Sequence, residues 1–372
     1  MKIAMDARSI TWYHGTGIGT YTENLLKHLL NIDSENNYNL YWSGDNFEDY
    51  RKDNTKIIMT SKKHQRFFQV NYFPSNLKKE NIDLYHVPQN GIGLYKDIEC
   101  KTVCTIHDLI PYIMPETVGR GYLLKFLKEM PDIISNSTGI LTVSQYSKDD
   151  ILRYFPIDPD KIFVTPLAAN KCYKPLDKEL CKRFILNKYN IKDPFILYLG
   201  GFSDRKNVDS LIKAFSKVYK DLDKEHKLVI LGSYRDSSQK LVKLVDDLNM
   251  EDKIIFAGFI PNEDLPSFYN ACEAFVYPSL YEGFGLPPLE AMSCKAPVIS
   301  SNLTSIPEVV GDCGILIDPY KPDSLRDAMG TLLNDDDLKD TLAIKGYLHS
   351  KNYSWENTAK KTLEAYEKIY EL

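Results

Sequence analysis

Several protein classes are excluded by what the chain has little of. Its 7 cysteines are an odd set with no Cys-x-x-Cys pair, which argues against a disulfide framework or a zinc ribbon and for reduced thiols. No apolar run approaches the length needed to span a bilayer. Met1 is followed at once by a strand-like stretch, so a signal peptide is not expected and the cytoplasm is the expected compartment. Positive charge is not in excess: 46 Lys and Arg against 51 Asp and Glu leave a net charge of −5. Nucleic acid is therefore not expected as a partner, because backbone phosphates need a surplus of cations. What remains is an ordinary globular composition, 43% hydrophobic and 26% charged, over 372 residues. That length exceeds what one core supports, so two domains are expected.

The strand pattern agrees. Short β-rich runs at residues 2–6, 38–42, 83–87, 102–106, 139–143 and 161–164 alternate with helical or turn segments. After residue 170 a polar segment, 171–193, interrupts the pattern. Six further runs follow at 195–201, 227–232, 253–258, 274–277, 297–300 and 314–318. Such alternation predicts an α/β chain of two parallel-sheet domains, residues 1–170 and 171–354, with ligands outside the C-terminal strand ends. An interdomain cleft between the strand tips is the expected location of a site.

The most informative stretch follows the run at 274–277. Its loop contains Glu282, Gly283, Phe284 and Gly285, and Leu286-Pro287-Pro288 leads into a helix carrying Glu290. Proline suits the first helical position, which has no intrahelical use for an N–H. On this spacing Glu290 falls in the first turn, at the positive end of the helix dipole. Glycines let backbone N–H groups approach a ligand, and a helix start favours anions. Two carboxylates that accept hydroxyl hydrogen bonds beside an anion site point to a sugar nucleotide. Earlier, Gly200 to Asn207 places Arg205 and Lys206 on a short strand-tip loop, where two cations neutralise a diphosphate or stand as solvated charges.

In the first half, a loop from Ala7 to Thr20 contains His14, Gly17 and Gly19 and precedes an amphipathic helix with Leu25, Leu26, Leu29 and Leu30. The loop either meets a phosphate or is a flexible turn. It is not a dinucleotide fingerprint, because it is too long, position 20 is Thr, and the next run ends in Ser43-Gly44 instead of an acid. His86 and His107-Asp108 are read at strand tips. A lone His is usually structural; His107 stands out because a carboxylate follows it, whereas His86 stays closer to the structural reading. Ser147 is read as a helix N-cap. Ser305 to Glu308 has the capping-box pattern. Residues 51–80 are basic and aromatic, either a solvated surface or a patch that meets an anionic lipid or acceptor; residues 122–128 are a second basic amphipathic stretch, either a core-packed helix or another such surface. Asp335-Asp336-Asp337 reads as a solvated loop, and no metal site is expected.

The segment Glu282-Gly-Phe-Gly-Leu-Pro-Pro-Leu-Glu290 resembles the paired-glutamate signature of retaining glycosyltransferases with the GT-B fold, particularly glycosyltransferase family 4. Arg205-Lys206-Asn207, the Gly17-Ile18-Gly19 loop, His107-Asp108 and residues 301–319 resemble that family in the same order. The resemblance implies two facing Rossmann-like domains, with a helix at 355–370 returning to the first. It implies a GDP- or UDP-linked donor on the second domain, a glycan or lipid-linked acceptor on the first, and no cofactor. Arg205 and Lys206 would hold the diphosphate and Glu290 the ribose hydroxyls. Glu282 would contact the transferred sugar, aided by amides of Gly283, Phe284, Gly285 and Leu286. Gly17 and Gly19 would meet the phosphate, His107 would line the reaction centre, and His86 and Asp108 would lie on the acceptor side. The base is expected near Phe259 and Ile260. Peripheral contact with the inner membrane face accompanies this reading. A nucleotide-sugar epimerase and a non-catalytic sugar-nucleotide-binding subunit are the alternatives.

Overall fold

The computed structural model describes residues 1–372 apart from 95, 193, 234 and 235, and apart from the side chains of 236–238 and 322. Position 193, the end of the predicted polar segment, thus lies outside the described residues. The chain forms two compact units, Met1–Ala168 with Tyr353–Leu372, and Ala169–Asn352.

The first unit holds seven strands, β1 (Lys2–Asp6), β2 (Asn37–Trp42), β3 (Thr55–Met59), β4 (Leu84–Val87), β5 (Lys101–Ile106), β6 (Gly139–Thr142) and β7 (Ile162–Val164), in the order 3-2-1-4-5-6-7. Every pairing is parallel, with Lys2 to Asp6 of β1 matched to Asn37 to Tyr41 of β2. Crossover helices cover both faces, so β4 and β6 are buried along their whole length. The final helix, Trp355–Glu371, packs on the helix Gly17–Ile32 and closes one face. Ile369 lies where a side chain at Gly139 would sit, its Cδ1 2.4 Å from that Cβ position, which fixes glycine at the start of β6.

The second unit holds β8 (Phe195–Leu199), β9 (Lys227–Leu231), β10 (Ile254–Gly258), β11 (Ala274–Tyr277), β12 (Val298–Ser301) and β13 (Ile315–Ile317), in the order 10-9-8-11-12-13. All pairings are again parallel. From β8 the chain winds outward through β9 and β10, then returns to β11 and winds the other way. The strand order therefore reverses between β8 and β11, the point in an open parallel sheet where loops diverge and leave room for a ligand. The two loops singled out from sequence, after β8 and after β11, flank that point. Among the described residues no helix is long and apolar enough to cross a membrane.

Some sequence expectations are corrected here. The strand Thr55–Met59 falls inside the segment read only as basic and aromatic. The glycine loop is shorter than expected: a helical turn, Ser9–Trp12, occupies its first part, and the long helix starts at Gly17 itself. Ser144, not Ser147, caps the helix Gln145–Tyr154, accepting the Ser147 N–H. Asp335 caps the helix Asp336–Ser350, and Asp336 pairs with Lys339 at 2.5 Å and Lys224 at 3.2 Å, so the aspartate triplet is committed to local structure.

Candidate functional site

In the second unit the loops after β8 and β11 are stitched together. The Leu280 N–H donates to the Arg205 carbonyl at 2.8 Å, and Asn207 Nδ2 donates to the Pro278 carbonyl at 3.2 Å. Asn207 adopts a left-handed conformation that turns the chain from the short Asp204–Lys206 helix into Val208–Val218. The result places four donors on one carboxylate oxygen. Glu282 Oε1 accepts from Arg205 Nη1 at 2.8 Å, Lys206 Nζ at 2.6 Å, Tyr277 OH at 2.9 Å and Ser279 Oγ at 2.6 Å. Lys206 also lies 4.9 Å from the centre of the Tyr277 ring. Burial alone raises a carboxyl's pKa; here the two cations and the hydrogen bonds overcome it and hold Glu282 down at about 2. Glu282 is thus a fixed anion inside a cluster of net formal charge +1.

The other end of the loop is ordered by small residues. Gly285 caps the helix Leu286–Ser293 at φ 109°, and a Cβ there would lie 2.7 Å from Ile306 Cδ1. The Ser305 hydroxyl spans the Glu282 and Phe284 carbonyls at 2.9 and 2.8 Å. It makes no side-chain cap for its own helix, so the capping-box expectation is corrected: the hydroxyl braces the glutamate loop instead.

Glu290 is the fifth residue of its helix, not in the first turn, because the helix begins at Leu286 ahead of both prolines. Its Oε2 accepts from Tyr269 OH at 3.0 Å, and Tyr173 gives a second hydrogen bond. Among the described residues no cation offsets its burial, which raises its pKa to about 8. The two glutamates are therefore electrostatic opposites, Glu282 an anion and Glu290 a carboxylic acid at neutral pH. Phe259 is 72% exposed beyond β10, whereas Ile260 lies in the core, so only its backbone can line a ligand.

In the first unit His107 does follow β5. Its Nε2 donates to the Pro88 carbonyl at 2.9 Å, which leaves Nδ1 as the unprotonated nitrogen, and Tyr21 packs edge-on at 4.7 Å. Burial lowers its pKa to about 4, so the ring is neutral. Asp108 accepts the Ile110 N–H at 3.1 Å. His86 is corrected: it lies inside β4 with Nδ1 2.7 Å from Tyr366 OH and Nε2 2.8 Å from Thr105 Oγ1. Both nitrogens serve the fold and tie the last helix to the sheet. The Gly19 N–H goes to Thr16 Oγ1 at 3.3 Å, and a Cβ on Gly19 would sit 2.2 Å from the Tyr13 carbonyl oxygen. Gly19 is small for packing; Gly17, at the exposed helix start, has open space around it.

Sequence reasoning missed Tyr277 and Ser279 on Glu282, and Tyr173 and Tyr269 on Glu290. Ser279 lies on the loop between the run at 274–277 and Glu282, where a hydroxyl is a visible signal; the tyrosines look like any packed aromatic. Also missed was a buried ion pair at the end of β1, where Arg8 Nε donates to Asp6 Oδ1 at 2.6 Å. Among the described residues no group of acidic, His or Cys side chains has metal-binding geometry.

Two family models match the chain, Glycosyltransferase Family 4 over residues 15–170 and Glycosyl transferases group 1 over residues 182–349. The O-antigen chain mannosyltransferase B of Escherichia coli is 36% identical over 72% of this chain and 70% of its own length. The serotype-specific mannosyltransferase WbdA of the same organism is 31% identical over 73% of this chain, which spans about a third of that longer protein (34%). Among solved structures, the sucrose-phosphate synthase of Thermosynechococcus elongatus superposes with a TM-score of 0.78 at 20% identity, covering 100% of this chain and 99% of that one. Anabaena HepE in complex with UDP and glucose gives 0.77 at 16% identity, covering 99% and 100%. The chain belongs to glycosyltransferase family 4, the group 1 glycosyl transferases, and is a glycosyltransferase with the GT-B fold.

Proposed function

We propose that the chain transfers a mannosyl residue, with retention of configuration and without a metal ion, from GDP-mannose to a hydroxyl of a glycan or lipid-linked acceptor. The observation that carries the reading is the shared Glu282 Oε1, which holds Arg205 and Lys206 side by side at the strand-order reversal. The O-antigen mannosyltransferases among its relatives support the choice of sugar.

Cleaving the anomeric C–O bond leaves positive charge on the sugar and negative charge on the departing diphosphate. Arg205 and Lys206, fixed before the donor arrives, stabilise that diphosphate with little reorganisation, the role a divalent ion takes elsewhere. Glu282 stays ionised beside the developing cation. Its Oε1 already accepts four hydrogen bonds, which spreads its charge and makes it a poor nucleophile. The front-face route follows: the acceptor oxygen bonds to the anomeric carbon on the face the diphosphate leaves, and the acceptor proton passes to the leaving phosphate oxygen. Glu290 would hold the ribose hydroxyls, Gly17 and the amides of residues 283–286 would meet the donor, and His107 and Asp108 would serve the acceptor side.

The test is incubation with a panel of GDP- and UDP-sugars, with and without a mannose-terminated oligosaccharide, followed by NMR of the product. An α-linked mannoside formed from GDP-α-mannose is the expected result. A β-linked product overturns retention, and an altered nucleotide sugar formed without acceptor indicates an epimerase.

A further inference from the structure

We propose that Asp6, Arg8 and Gln89 are positioning residues for His107: through the loop after β4 they hold its imidazole as the Nε2–H tautomer and so present Nδ1 as the acceptor for a substrate hydroxyl. The use of that nitrogen rests on the transferase reading; the tautomer lock stands on the geometry of the first unit alone.

Sheet order makes the connection possible. β4 runs between β1 and β5, so the loop leaving its C-terminal end lies between the tips of those two strands. On the β1 side, Gln89 Nε2 donates to Asp6 Oδ2 at 2.7 Å. Asp6 is itself gripped by Arg8, whose Nε and Nη2 donate to its two oxygens at 2.6 and 2.5 Å. The guanidinium packs against two rings, 4.4 Å from the centre of Trp12 and 4.7 Å from that of Phe73. A forked guanidinium–carboxylate pair fixes both partners in one plane, which a lysine cannot do.

On the β5 side, the two neighbours of Gln89 hold His107. The Pro88 carbonyl accepts its Nε2–H at 2.9 Å, and Asn90 Oδ1 accepts its backbone N–H at 2.8 Å. A peptide unit is planar, so the Pro88 carbonyl lies in the plane that ends at the Gln89 Cα. Anchoring the Gln89 side chain on Asp6 therefore sets where that carbonyl points. The loop has little slack: Asn90 is left-handed at φ 51°, and a Cβ on Gly91 would lie 2.3 Å from Ile133 Cγ2. Burial keeps the His107 ring neutral, so it carries one proton. A carbonyl only accepts, which puts that proton on Nε2 and leaves Nδ1 its lone pair.

Stability alone does not account for the arrangement. Asp6 and Arg8 are fully buried and Gln89 nearly so, and a buried ion pair gains little over apolar side chains of the same volume. Arg8 Nη1 and Gln89 Oε1 are also buried and, among the described residues, have no hydrogen-bond partner, which is unfavourable for folding. Departures of this kind from a well-satisfied core belong to places where geometry serves function, and here the polar chain ends on His107.

The experiment reads the His107 ring directly, by heteronuclear NMR of the imidazole nitrogens in the full chain, with His107→Gln to assign the signals. Two variants are compared with the wild type, and thermal midpoints check that each folds. Gln89→Met keeps the side-chain length and leaves the Arg8–Asp6 pair in place; Arg8→Lys keeps the charge and loses the fork. The wild type should show the Nε2–H tautomer and both variants a mixture of the two tautomers. Turnover of GDP-mannose with a mannose-terminated oligosaccharide should fall in kcat by roughly tenfold to a hundredfold, the scale of a small misplacement near reacting atoms, with donor KM unchanged. Should Arg8→Lys fail to fold, Gln89→Met carries the test. A wild type in the Nδ1–H form, folded variants that keep the Nε2–H tautomer, or a tautomer mixture with unchanged kcat overturns the proposal. If the tautomer shifts as expected but the wild type turns over no nucleotide sugar, the lock stands and the transferase reading fails.

Discussion

Glu282 and Glu290 lie eight residues apart on one loop and helix, yet their surroundings set them on opposite sides of neutrality. Glu282 shares one oxygen among Arg205, Lys206, Tyr277 and Ser279; Glu290 has only tyrosine hydroxyls and burial. If ribose hydroxyls are accepted by ionised Glu290, donor binding at pH 7 must release a proton from a group titrating at about 8. Calorimetry in buffers of different ionisation enthalpy should detect that release in the wild type and not in Glu290→Gln, and affinity should rise as pH is raised through about 8. The kinetic counterpart is a raised donor KM for Glu290→Gln and a mainly lowered kcat for Glu282→Gln; identical defects undo the division of labour. Stability separates them too. The folded pKa of Glu282 is depressed from 4.5 to about 2, so its contribution is complete above pH 4.5 and disappears as pH falls through about 2. Urea midpoints of wild type and Glu282→Gln should differ at pH 6 and converge towards pH 2; a constant gap contradicts the ion-pair account. The carboxylates and cations were legible in the sequence because charge at a strand tip is conspicuous. For His86 the structural reading holds, but its place inside β4 was not legible, because one step of register decides whether a residue ends a strand or lies within it.

At the scale of elements, the helix Leu286–Ser293 depends on how the chain enters it. Gly285 combines a left-handed φ of 109° with a Cβ position 2.7 Å from Ile306. Gly285→Ala should therefore cost about 1–3 kcal/mol of unfolding free energy, read from urea denaturation, and move Glu282 and Glu290 relative to each other. A change below half a kcal/mol (roughly the scale of ordinary surface substitutions) shows that the loop relaxes freely. Strands were legible wherever a short run of apolar aliphatic and aromatic residues was unbroken by charge, as in Leu228–Leu231 of β9 and throughout β11. Thr55–Met59 was hidden because its charged neighbours dominate the composition of the segment. Helix starts shifted by a few residues, since a capping serine is identified by where its hydroxyl points, and Ser305 points into the glutamate loop.

Across the whole molecule, parallel sheets follow from the repeated alternation of strand and helix, and the strand order had to come from the structure. The last helix belongs to the first unit although it follows the second in sequence. Tyr366 bonds His86, and Thr358 Oγ1 donates to the Pro166 carbonyl at 2.6 Å. Truncation after residue 353 should expose that face and lower the melting temperature of the first unit while the second keeps its own; a single unchanged transition contradicts this. The central claim is that Arg205 and Lys206 stabilise a departing diphosphate, and steady-state turnover of GDP-mannose by Arg205→Ala and Lys206→Ala tests it most directly. The predicted result is a loss equivalent to about 2–4 kcal/mol of transition-state stabilisation in each variant, with folding retained by circular dichroism. Near wild-type turnover in both variants contradicts it.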